Sequence, residues 1–209
     1  MPSEPPIKRT VAFFDGQNLY HHAKAAFGCT HPDYSPLALA HCVCNQKGFN
    51  LHEIRFYTGI PEEADNLHWN RFWSAKLLAM SRTGITTYSR PLRYHEKTIK
   101  SSDGIEIAKR IGEEKGIDIR IALDIIRMAR QNVLDVVLLF SQDQDFSEVA
   151  DEVRALSREQ NRWIKIASAF PVGACASNYR GIDKTDWINI DRTMYDACRD
   201  PRDYHPKRG

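Results

Sequence analysis

With 209 residues, 42% hydrophobic and 27% charged, the chain reads as an ordinary soluble protein long enough to bury one domain core. Its 29 lysines and arginines nearly balance 27 acids, and a formal net charge of +2 by itself predicts neither a nucleic-acid nor a membrane partner. No apolar stretch approaches the roughly 20 residues of a membrane span, and MPSEPPIKRT lacks the apolar core of a signal peptide, so a cytoplasmic location is expected.

Residues 1–9 form a Pro-rich tail, after which Thr10 to Phe14 reads as a buried strand that stops at Asp15. A helix is expected over 19–27, then a loop, then a second helix from Ser35-Pro36 to Lys47-Gly48, with Ser as N-cap and Pro as the first helical residue. Residues 51–60 alternate as a strand. Residues 61–83 carry Leu67, Phe72, Trp73, Leu77 and Met80 at helical spacing, and 85–88 give a short strand. The order β, α, α, β, α, β argues for a parallel sheet covered by helices.

From Ser89 to Gly116 two readings stand. Ser102-Asp103-Gly104 fits a hairpin turn between strands, and Ile105, Ala108 and Ile111 fit a helix; the hairpin is preferred. Ile117 to Arg130 is a helix, and Val136 to Phe140 is an apolar run rich in β-branched residues, a strand buried on both faces. A helix over 146–158 and strands over 163–167 and 187–190 follow, and residues 192–209 are expected to be a tail. The five cysteines, Cys29, Cys42, Cys44, Cys175 and Cys198, include no C-x-x-C pair, which disfavours a disulfide framework and a structural zinc site.

The candidate chemistry lies where apolar runs end in acids. Asp15 and Asp143 each follow a buried strand, at the edge where open α/β sheets bind ligands. At about 4 Å their repulsion would be of order 4 kcal/mol at an effective dielectric near 20. A hard divalent cation, Mg²⁺ or Mn²⁺, is the usual answer to clustered carboxylates without nearby histidine or thiolate. The competing reading makes each acid a helix cap. Asp145 with Glu148 has capping-box spacing, Asp118 stands at a helix entrance, and Asp124 has Arg120 and Arg127 within one turn, enough for an ion pair. Asn18 can meet a phosphate or metal-bound water, or cap a helix. Arg90, Arg93, His95, Lys97 and Lys100 interleave with Tyr88 and Tyr94, as a single-stranded nucleic-acid groove requires, or as any solvated hairpin permits.

Together VAFFDGQN, EKGIDIRIALDIIRMA and VVLLFSQDQDF resemble the NYN family, the LabA-like branch of the PIN-like nucleases, over residues 11–190. The resemblance implies a Rossmann-like three-layer α/β/α sandwich with a mostly parallel sheet in a domain spanning 10–191, elaborated by a basic hairpin over 89–116. It implies a Mg²⁺- or Mn²⁺-dependent ribonuclease, with RNA as partner, no membrane, and homo-oligomerisation left open. By motif, Asp15, Asp118, Asp143 and Asp145 carry the catalysis, and Asp15, Asp118, Asp143 and Asp124 hold metal. Asn18 and Lys115 are expected to position phosphate, and from the basic stretch itself, apart from the resemblance, Arg90, Arg93 and Lys97 are expected to meet the substrate. Gln142 departs from the family's usual glycine, and a side chain there is expected to narrow the site or contact substrate. An RNA-binding module without turnover is the alternative.

Overall fold

The computed structural model describes residues 2–100, 106–176 and 178–206. In chain order the elements are β1 (Arg9–Asp15), α1 (Gly16–Phe27), α2 (Pro36–Lys47), β2 (Asn50–Ile60), α3 (Leu67–Arg82), β3 (Thr86–Pro91), β4 (Arg93–Lys100) and β5 (Glu106–Glu113). There follow α4 (Ile117–Arg130), β6 (Val136–Phe140), α5 (Phe146–Glu159), β7 (Lys165–Pro171), β8 (Asp186–Ile190) and α6 (Arg192–Ala197).

Six strands form one sheet in the order β3-β2-β1-β6-β7-β8, and every neighbouring pair is parallel. Parallel pairing requires crossovers, and the helices that supply them cover both faces. Strand periodicity divides the core. Phe14, Leu138 and Phe140 pack with α1, α2 and α3 on one face, and Val11, Phe13, Val137 and Leu139 pack with α4 and α5 on the other. At the carboxyl end of the sheet the Phe14 and Phe140 rings stack with centroids 3.9 Å apart and planes 7° off parallel.

The chain between β3 and α4 folds as the preferred hairpin, a separate antiparallel pair with Arg93 opposite Glu113 and Lys97 opposite Lys109. The expected turn at Ser102-Asp103-Gly104 lies outside the described residues. Alternation gives the hairpin two faces. On one, the Tyr94 hydroxyl accepts the Glu62 amide, the Arg110 guanidinium sits 4.5 Å from the Tyr94 ring centroid, and Arg110 pairs with Asp65 at 3.0 Å. That face anchors the hairpin to the turn before α3. Arg93, His95 and Lys97 belong to the other.

Several boundaries move for local reasons. α1 begins at Gly16 because Asp15 itself is its N-cap, and α3 begins at Leu67 because the Asn66 side chain accepts the Trp69 amide, leaving 61–66 as a turn. β7 runs from Lys165 to Pro171, later at both ends than the expected 163–167. Beyond β8 the chain does not run off as a polar tail: Tyr195 on α6 is fully buried, and Asp200 pairs at 3.7 Å with Lys76, a lysine with no exposed surface whose amine donates to the Tyr34 carbonyl. Among the described residues no helix is long and apolar enough to cross a membrane.

Candidate active site

Because all six strands run the same way, their carboxyl ends share one edge. β1 delivers Asp15 there, only 7% exposed. One carboxylate oxygen accepts the Asn18 amide at 3.2 Å and the other accepts the Ser141 hydroxyl at 3.2 Å. Asp15 therefore does cap α1, and each oxygen keeps a further lone pair for another partner. Gly16 must be glycine here, since a Cβ would stand 2.7 Å from the Phe56 ring and 2.9 Å from the Tyr57 carbonyl oxygen. After β6, Ser141 also accepts the Asp143 amide, and the Asn18 side-chain oxygen accepts the Gln142 amide at 2.9 Å, tying α1 to the acid loop.

Asp118 enters in the first turn of α4, whose start carries no side-chain cap, so Asp118 is not acting as one. Gly116 precedes it with φ of +77°, and a Cβ there would stand 2.9 Å from the Arg90 guanidinium. Asp15, Asp118 and Asp143 line a cavity of about 640 Å³ together with Asn18, Arg90, Arg93 and Lys115. The acids thus share one space with three cations.

A fourth acid in that cavity was missed from sequence. Glu114 lines it, and its Oε1 is buried without a hydrogen-bond partner among the described residues. Glu114 lies just beyond the end of β5, and no local sequence signal marks its burial. Burial, with the charges of Asp15 and Asp118 adding to it against the Gly59 amide, pushes the Glu114 carboxyl up to about 8. Burial likewise pushes Asp15 up to about 6, with Asp143 and Asp118 adding to it and the Asn18 and Ser141 hydrogen bonds opposing. Both shifts have one origin: negative charge is held out of water with no compensating cation close enough.

Three expected site residues stand elsewhere. Asp124, 3% exposed, accepts from the Tyr57 hydroxyl at 2.9 Å, Arg127 at 2.7 Å, Arg120 at 3.2 Å and Arg55 at 3.4 Å. Three guanidiniums already share this carboxylate, and Asp124 does not line the cavity that holds Asp15, Asp118 and Asp143, so its contacts are those of a structural ion-pair hub rather than of the expected ligand set. Asp145 is exposed at the start of α5, makes no side-chain cap, and does not line the cavity. Lys97 is exposed on β4, four residues beyond Arg93 on the same hairpin face and outside the cavity.

Gln142 also differs from expectation. It is 4% exposed and turns away from the cavity, donating to the Arg180 carbonyl at 2.7 Å and the Asn178 carbonyl at 3.4 Å. Gln144 donates to the Gly181 carbonyl at 2.9 Å and accepts the Asp183 amide at 3.1 Å. The two glutamines hold the 178–183 loop against the acids.

Among the described residues no three His, Cys, Asp or Glu side chains converge closely enough to enclose a metal ion. The donor set is nonetheless all oxygen and includes an orphaned buried carboxylate oxygen, which suits a hard divalent cation that keeps several waters and needs only one or two carboxylates directly.

This fold and edge define a three-layer α/β/α protein with acids gathered at the carboxyl end of a parallel sheet. The profile of the NYN domain matches residues 9–169, and the chain belongs to the NYN domain family, within the PIN-like nuclease superfamily. A crystal structure of a protein of unknown function from Vibrio parahaemolyticus superposes with a TM-score of 0.54 at 17% identity, covering 91% of this chain and 97% of that one. A ribokinase from Giardia lamblia gives a TM-score of 0.34 at 9% identity, covering 61% and 36%, too low to carry an argument. No curated protein matches.

Proposed function

We propose that the protein is a metal-dependent ribonuclease that hydrolyses RNA phosphodiester bonds. One observation carries the reading: Asp15, Asp118, Asp143 and Glu114 share a cavity with Arg90, Arg93 and Lys115, so carboxylates for a cation and cations for a phosphate face the same space. Membership of a superfamily of nucleases supports it.

Asp15 and Asp143 would hold Mg²⁺ or Mn²⁺, directly or through water, with Asp118 and Glu114 completing the negative wall. An ion held there would supply Lewis-acid chemistry, lowering the pKa of water and stabilising charge on the phosphoryl oxygens. Arg90, Arg93 and Lys115 bind and orient the phosphate, and Arg90 is pre-positioned by its hydrogen bond to the Tyr88 hydroxyl at 2.6 Å. Asn18 keeps the Asp143 loop in register through the Gln142 amide. Asp145, at the outer side of that loop, would accept hydrogen bonds from ordered water. In-line attack leaves a 5′-phosphate and a 3′-hydroxyl.

The test is incubation of 5′-labelled single-stranded RNA with Mn²⁺ or Mg²⁺, beside EDTA and an Asp143→Asn variant. Cleavage abolished by both controls supports the reading. Intact RNA over several sequences, with binding retained, supports the second reading, an RNA-binding module of the same fold. The loose convergence of the carboxylates is the observation that favours this alternative.

A further inference from the structure

The sheet order fixes the layout of the whole carboxyl edge. Arg90 lies one residue before the end of β3, Asp15 ends β1, the Asp143 loop follows β6, and residues 178–183 lie in the loop after β7. Neighbouring strands lie about 4.8 Å apart, so four strand spacings separate Arg90 from the β7 loop, roughly 19 Å, with the acids between. At a stacked rise of about 3.4 Å per nucleotide that span holds five or six nucleotides. The cationic rim occupies one end of this line. At the other end stands Tyr179, 55% exposed, one of the large hydrophobic side chains the core does not use.

The Tyr179 loop is held from three sides. Gln142 binds the carbonyls on either side of Tyr179, at Asn178 and Arg180. Below it, Ile182 is fully buried and its carbonyl accepts the Trp187 indole N–H at 2.8 Å. At Gly181 a Cβ would meet Phe170, Trp187 and Ser168 at 2.6 to 2.7 Å, so the backbone itself is pressed onto the core. The Tyr179 hydroxyl donates to the Gly173 carbonyl at 3.1 Å, which restrains the ring while leaving more than half of the residue in solvent. An aromatic face fixed in advance loses little entropy on stacking, and base stacking tolerates any sequence.

We propose that Tyr179 is the base-stacking platform of the site, contacting an unpaired base of a single-stranded nucleic acid whose phosphates run from Arg90 and Arg93 across the acids. This rests on the ribonuclease reading for the substrate class, and it adds a binding residue on the opposite side of the acids from the basic rim. It implies a requirement for unpaired nucleotides, since a base within a duplex has no free face.

The experiment measures binding of a ten-nucleotide RNA carrying 2-aminopurine at successive positions, in EDTA so that no cleavage occurs. Wild-type protein, Tyr179→Ala, Tyr179→Phe and Arg93→Ala are compared with folds checked by circular dichroism. Expected are a dissociation constant raised about 5- to 150-fold by Tyr179→Ala, near-native binding by Tyr179→Phe, and a fluorescence change at one or two positions that only Tyr179→Ala abolishes. Binding weakened by Arg93→Ala but not by Tyr179→Ala overturns the platform and leaves the ribonuclease reading standing. Loss of affinity in Tyr179→Ala and Tyr179→Phe alike overturns it too, because the hydroxyl tether rather than the aromatic face would then matter. Wild-type protein that binds no RNA overturns both.

Discussion

The side-chain amide of Gln142 donates to the carbonyl of Arg180 across 2.7 Å, between residues 38 positions apart in the chain. This contact joins the loop after β6 to the loop after β7. It explains why a long polar side chain stands where the family usually has glycine: the residue faces the neighbouring loop, not the cavity. Replacing it with glycine removes the part-buried hydrogen bonds to the Asn178 and Arg180 carbonyls. Gln142→Gly is expected to lower stability by about 1–3 kcal/mol and to raise amide exchange or protease cleavage over 178–183, while Mn²⁺ affinity measured by calorimetry stays within about twofold.

Asp118 and Asp143 are half-buried and carry no structural load comparable to that of Asp124. Asp118→Asn and Asp143→Asn are expected to fold with unchanged circular dichroism and equal or higher melting temperature, since each removes a like charge from the cluster. Metal-dependent RNA cleavage should fall at least about 10²-fold in each, read from initial rates on labelled RNA.

Glu114 sets a pH dependence. A carboxyl whose pKa is raised on folding contributes stability that is fully present below its unfolded value and lost as pH rises through the folded one. With Asp15 up at about 6 and Glu114 at about 8, the metal-free melting temperature should decline from pH 5 to pH 8.5. Glu114→Gln should flatten the upper half of that decline. Millimolar Mn²⁺ should raise the melting temperature more at pH 8 than at pH 5, because cation and proton compete for the same carboxylates. Asp135 does not obscure this window. Burial pushes its carboxyl up, but hydrogen bonds and charge from Arg9, with Arg162, hold it below the ordinary value of 3.8, so its contribution is lost only at more acid pH.

Asp124 is predicted to behave as a structural residue. Asp124→Ala leaves Arg55, Arg120, Arg127 and the Tyr57 hydroxyl without their shared acceptor and is expected to cost about 3–5 kcal/mol in urea denaturation. In a variant rescued by low temperature or a compatible buffer, Mn²⁺ affinity should match the wild type. A selective loss of metal binding with unchanged stability would return Asp124 to the ligand set.

The sequence carries the sheet plainly, because Val136 to Phe140 and Thr10 to Phe14 are apolar on both faces and each stops at polar residues. It carries Asp15 and Asp143 for the same reason, since a buried strand announces its own end. It does not carry Asp124's role: the arginines at Arg120 and Arg127 are visible as helical neighbours, but Arg55 and Tyr57 arrive from β2, more than 60 residues away. Glu114 was equally hidden. Its burial follows from how the end of the hairpin returns to α4 past Gly59, where its Cγ would lie 3.2 Å from a Cβ at that glycine. Local spacing records helices and strands, whereas these two environments are made by distant chain.

The stacked rings of Phe14 and Phe140 have a mechanical consequence. Asp15 is the next residue after one ring and Asp143 lies three after the other, so the gap between the two carboxylate-bearing strand ends is set by hydrocarbon contact. If the proposed ion binds, a site gauged in this way would not wait for it to be shaped. A charge entering or leaving would then find the same spacing, and the proposed reaction would proceed without the reorganisation that a softer scaffold undergoes.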